Sequence, residues 1–156
     1  MTSHADRAAN SDTTAAFWLS ELRDAHCKLL SAIEELAELT RGPAPDAQHI
    51  TDVRWRVSEA SLVRRLLWGR IHAYLSEQAG ADAESELRDL QEADMRLIRA
   101  STEHVARWTA DAVIADWPGY CRASEVMRGK MVEGIEREKR MLYPILERLQ
   151  AGRQGD

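Results

Sequence analysis

Apolar residues recur three and four positions apart along most of the chain, and the recurrence falls into four blocks. In residues 14–40, Leu19, Leu22, His26, Leu29, Ile33, Leu36 and Thr40 share one helical face. In residues 46–78 the face is Val53, Val57, Ala60, Leu67, Ile71 and Leu75, widened by Leu62 and Leu66. In residues 82–108 it is Leu87, Leu90, Asp94, Leu97, Ser101, His104 and Trp108, broadened by Met95, Ile98 and Val105. The last block starts near Asp116, and its stripe is Met127, Met131, Ile135, Glu138, Leu142, Ile145 and Leu149.

The joints carry helix-ending chemistry. Gly42, Pro43 and Pro45 stop the first block, because proline neither donates to the helical ladder nor tolerates helix in the residue before it. Ala79-Gly80-Ala81 separates the second block from the third. Thr109 and Asp111 open a short turn through Val113 and Ile114. Pro118 sits in the first turn of the last block, where its missing N–H is harmless. Pro144 lies inside that block and predicts a kink or an early end. Four amphipathic helices with short joints predict an all-α fold, an up-down-up-down four-helix bundle over residues 15–150. Residues 1–14 are expected to form a flexible tail and residues 151–156 a short C-terminal one.

Composition narrows the function classes. The chain has 156 residues, one domain's worth, and a formal net charge of −5. No long basic run exists, which argues against nucleic acid and against an anionic membrane as partner. Arg64-Arg65, the densest basic spot, reads as a solvated helix face. Cys27 and Cys121 form no CxxC motif and suggest no disulfide framework, although a bridge between them stays open. Neither a leader pattern nor a membrane-length apolar run is seen, so a cytoplasmic protein is expected. No phosphate-binding glycine loop, nucleophile elbow or HExxH motif supports the common hydrolase or kinase chemistries. Trp55, Trp68, Trp108 and Trp117 read as packing at the core or its rim.

The chemistry lies where the stripes are interrupted. His26, Asp94, His104 and Glu138 fall on faces that should be apolar. A buried charge must be paired, hydrogen-bonded or metal-bound. Inward histidines and carboxylates on several helices are also how bundles build metal sites, and imidazole with carboxylate suits iron, manganese or zinc. Each residue keeps a structural alternative: His26 bonded to a neighbouring carboxylate, Asp94 and Glu138 at the stripe edge reaching solvent or paired with Arg or His, His104 near the last carbonyls of its helix. His72 flanks the apolar stripe of its block and could serve packing or the same site.

Two segments carry a family resemblance. Leu22-Arg-Asp-Ala-His26 followed by Leu29-Leu30 resembles the first helix of the hemerythrin-like, HHE cation-binding domains, with its single ligand histidine. Glu133-Gly-Ile-Glu-Arg-Glu138 followed by Leu142-Tyr143-Pro144 resembles the last helix, where the family pattern is a histidine, a carboxylate four residues later, then Leu, an aromatic and Pro. The resemblance implies a bundle with a carboxylate-bridged di-iron site, and here a depleted one. Gly134 stands for a ligand histidine, Asp94 for another, and Ser76 where a carboxylate should follow His72. The resemblance thus leaves His26, His72 and Glu138 as a two-histidine, one-carboxylate set, with Asp94 as a fourth ligand. Gly134 and Ser76 mark a cavity, the glycine leaving about an imidazole's volume.

Two functions follow as expectations. The first is a non-enzymatic regulatory or sensory protein with a degenerate metal site and no cofactor. It would act by binding a small molecule in the bundle core, a signalling protein or a second copy. The second is a protein holding a single non-haem metal ion, iron foremost, or an atypical dinuclear site, that binds O2, NO or peroxide.

Overall fold

A computed structural model describes the backbone of residues 4–78 and 81–152, and side chains over 14–78 and 83–152. These residues form five helices and, among them, no strand: α1 (His4–Thr40), α2 (Ala47–Gln78), α3 (Ala81–Arg107), α4 (Ala110–Ala115) and α5 (Trp117–Ala151). The expected blocks match α2, α3 and α5 closely, and α1 at its C-terminal end, because spacing and breakers agreed at the joints. Thr109 caps α4 by accepting from the Ala112 N–H, and Asp116 caps α5 by accepting from the Gly119 N–H. Pro144 does not end α5, which continues to Ala151 with Gly152 as its C-cap.

The largest departure is at the start. The stretch expected as a tail is helical from His4 onward. It contains neither proline nor glycine and is rich in alanine, the best helix former, so propensity favours helix there. Residues 1–3, 79–80 and 153–156 lie outside the described ones, and with them most of the expected C-terminal tail.

Helix α1 is the hub. It packs along both α5 and α2, while α3 packs on α5. Cross-links order these pairs. Arg23 meets Glu147, His26 meets Glu138 and Thr40 meets Arg128, so α1 and α5 run in opposite directions. Glu35 of α1 takes a paired guanidinium contact from Arg56 of α2, at 2.6 and 2.8 Å. Among the described residues α2 and α3 scarcely touch, and a groove runs between them.

Burial corrects several positions in the stripes. Leu62, Leu66, Met95 and Val105, expected to widen core faces, are exposed. Trp55 is exposed as well, whereas Trp68, Trp108 and Trp117 are buried. The apolar core comes in two clusters. One contains Leu29, Ile33, Val53, Val57, Trp108, Tyr120 and Ile135; the other contains Leu19, Leu22, Leu67, Ile71, Leu87, Leu90 and Leu142. Both cysteines are free thiols, Cys27 exposed and Cys121 half-buried.

A buried polar layer between two apolar cores

Between the two clusters lies one cross-section of charged and polar side chains, a single residue from each long helix. On α1, His26 falls between Leu22 of one cluster and Leu29 of the other. On α5, Glu138 falls between Ile135 and Leu142. On α3, Asp94 follows Leu90 and precedes Leu97. The fourth member is Arg64 of α2, between Val57 and Leu67.

Arg64 is the organising group. It is 4% exposed, where a solvated helix face was expected. Its Nη1 donates to Glu138 Oε1, and its Nη2 donates to Asp94 Oδ1 at 2.9 Å. The second Glu138 oxygen meets His26 Nε2 at 2.5 Å, and His26 Nδ1 meets the Tyr143 hydroxyl at 2.6 Å. A carboxylate oxygen only accepts, so Nε2–H donates to Glu138. Burial, opposed by Arg23 and reinforced by Glu138 and Glu136, pushes the Tyr143 phenol up to about 12, so it keeps its proton to donate. The chain of bonds runs Tyr143–His26–Glu138–Arg64–Asp94 and touches four helices.

The energetics of such a layer are asymmetric. Each buried charge alone would be unfavourable by several kcal/mol, and their mutual attraction offsets this only when every oxygen and N–H finds a partner. Here a guanidinium bridges two carboxylates, the planar fork that lysine could not provide. One atom of the layer is left over: Arg64 Nε is buried without a hydrogen-bond partner.

Of the four residues expected as metal ligands, the layer joins three: His26, Asp94 and Glu138. His72 makes none of its bonds. It sits one position beyond fully buried Ile71, turned about 100° around the helix, with its ring edge-on to Trp68 at 5.4 Å. Ser76 is exposed, on the outer side of α2. Gly134 is buried, but the volume expected beside it is largely taken. A Cβ there would come within 2.9 Å of Leu97 Cδ2. The remaining hollow, walled by Arg64, Leu97, Gly134 and Glu138, is about 10 Å3, the size of a single water site rather than an imidazole. His104, expected near helix-end carbonyls, lies with its ring 6.1 Å from that of Tyr120. Burial and the nearby Arg54 charge lower its pKa.

The donor set does not fit a metal ion as it stands. Among the described residues, no three His, Cys, Asp or Glu side chains converge on one position. The two carboxylates that could ligate already face a cation, Arg64. Two participants were missed by sequence reasoning, and both left a signal. The stripe of α2 skips from Ala60 to Leu67, a gap of seven that position 64 divides into four and three. Tyr143 stood in the motif of the last helix but was given no role.

No known family model matches the chain, and neither a curated protein nor a solved structure does. Among the described residues, no helix is long and apolar enough to cross a membrane.

Proposed function

We propose that the chain is a non-enzymatic regulatory or sensory module, an up-down-up-down bundle of the hemerythrin-like kind in which an arginine has taken the place of the metal. One observation carries this reading. Arg64 puts its guanidinium against the carboxylates of α3 and α5, in the layer where α1 contributes His26. A cation that the chain itself encodes satisfies the acids that a metal would otherwise neutralise. The fold is then held by the same layer without supply of a metal. Both oxygens of Glu138 and both ring nitrogens of His26 are already bonded, which leaves them no open position for O2, NO or peroxide. Activity therefore lies in binding, of a small molecule, a signalling protein or a second copy.

The alternative reading is a single non-haem iron bound by His26, Glu138 and Asp94. What favours it is that these three side chains already share one bonded chain. It requires Arg64 to leave, and it loses His72 as a ligand. Calorimetric titration with Fe(II), under exclusion of air, separates the two. The proposed function predicts no saturable heat. A one-to-one isotherm that disappears in His26→Ala and Glu138→Ala, with NO then binding to the loaded protein, would overturn it.

A further inference from the structure

Helix α2 has two opposite faces that avoid charge, and only one of them meets the core. Val53, Val57, Leu67, Ile71 and Leu75 are buried on the inner face, with Arg64 in line. On the outer face, at about 100° per residue, Trp55, Ser58, Leu62, Leu66, Gly69 and Ala73 fall within about 40° of one line. All six are exposed, Trp55 by 65%, Leu62 by 48% and Leu66 by 61%. No charged residue falls on that line between positions 48 and 76, although charged residues make up 30% of the chain. The solvent side of a surface helix is where charge belongs, and a helix apolar on both sides is one with partners on both sides.

The outer line is also self-complementary. Set a second α2 antiparallel against it, with the two-fold axis at the height of Arg64. At a rise of about 1.5 Å per residue, each pair that follows lies within about 1.5 Å of one height. Leu62 meets Leu66 of the second copy, and the symmetry repeats the contact, so four leucines form the centre. To either side Ser58 meets the second copy's Gly69, and beyond it the large Trp55 meets the small Ala73. Gly69 leaves room for this, since a Cβ there would touch nothing within 4 Å. One flank adds charge complementarity: Glu59 stands beside the second copy's Arg70, twice over. Both are exposed, and among the described residues neither forms an ion pair. Arg65, on the other flank, keeps its Nε buried in its own chain and lines the groove against α3. The like charges Asp52 and Glu77 come together only at the ends, about 18–20 Å from the axis. A parallel pairing would instead set Glu59 on Glu59 and Arg70 on Arg70, which disfavours it.

We infer that the outer face of α2 is an interface for a second copy of this chain, packed antiparallel with Leu62 and Leu66 at its centre and Glu59–Arg70 pairs at its edge. At the height of the axis α2 presents Arg64 to its own core and its leucines to the second copy, so the interface forms directly behind the polar layer. This inference rests on the reading of the chain as a binding module and names the partner for it.

The test is sedimentation of the full chain over a range of concentrations. The parent is expected to be a dimer that dissociates on dilution. Leu62→Glu changes a side chain that its own fold leaves exposed, and it should give a monomer with unchanged helical circular dichroism. Glu59→Arg and Arg70→Glu should each weaken the dimer about tenfold, because each sets two like-charge contacts in the interface. The double variant should recover most of that loss. The two residues lie about 16 Å apart along one helix, so recovery reports a contact between copies and not within one. A monomer at every concentration, which would leave this face to a different protein, would overturn the inference. So would a dimer indifferent to Leu62→Glu, or a double variant no better than the single ones. Iron content measured on the same samples keeps the two readings apart: bound iron refutes the arginine-for-metal reading, while an iron-free monomer refutes only the α2 interface.

Discussion

Replacing Arg64 by methionine removes the one cation that bridges the two carboxylates of a largely buried layer. The substitution keeps the unbranched stem and deletes the guanidinium. Glu138, 3% exposed, is left with His26 as its side-chain partner, and Asp94, 11% exposed, loses the bond that joins it to the layer. Breaking a buried pair by removing one partner costs about 3–5 kcal/mol, because the stranded carboxylates are not rehydrated. That is a large share of the stability of a domain of this size. Chemical denaturation followed by helical circular dichroism measures it, with the slope checked so that a shifted midpoint reports stability alone. Converting the carboxylates as well, in Arg64→Met with Glu138→Gln and Asp94→Asn, should recover most of the loss, since the charges leave together. Arg64→Met within about 0.5 kcal/mol of the parent would place the side chain at the surface and refute the layer. Failure of the triple variant to improve on the single one would show that its cost lies in packing rather than charge.

Three further outcomes follow from the same geometry. His104 has a folded pKa held below 6.5 by burial and Arg54, so the unfolded chain binds its proton first; stability should fall as pH drops through 6.5 toward the folded value and level off below it. His104→Gln should flatten that slope in melting curves taken across the window, and an unchanged slope would contradict the assignment. Tyr143, with its pKa near 12, should resist ionisation when absorbance is followed through pH 11, and its contribution to stability should decline above pH 10, where the unfolded phenol ionises. Tyr143→Phe should cost about 1 kcal/mol from the lost bond to His26, and a neutral result would show that bond to be absent. Gly134→His, which restores the residue implied by the hemerythrin-like resemblance, should destabilise by about 1–3 kcal/mol because Leu97 already occupies the space; unchanged stability would mean that the cavity is open after all.

How much of this could be read from the sequence depended on what kind of signal each part leaves. Helices α2, α3 and α5 were legible to within a residue or two at their joints because apolar spacing, prolines and capping side chains coincide there. The start of α1 was not, since polar alanine-rich sequence resembles a tail although its propensity is helical. The buried layer was half legible. His26 and Glu138 sit at stripe positions that only an inward residue can occupy, and they meet at 2.5 Å. Arg64 was not legible, because an apolar stripe passes over a charged residue even where the spacing demands an inward position. Ile71 and His72 show the opposite case, adjacent residues of which only one can face the core. Leu62 and Leu66 are exposed, and α2 and α3 scarcely touch among the described residues. That separation is a property of the whole bundle which no single helix encodes.

On the proposed function Arg64, and not a metal ion, neutralises Glu138 and Asp94. Metal content of the protein, purified without chelators from iron-supplemented cells, tests it most directly. Substoichiometric metal in the parent chain, with the fold intact, is the predicted result. One iron or more per chain, lost on substituting His26 or Glu138, would contradict it.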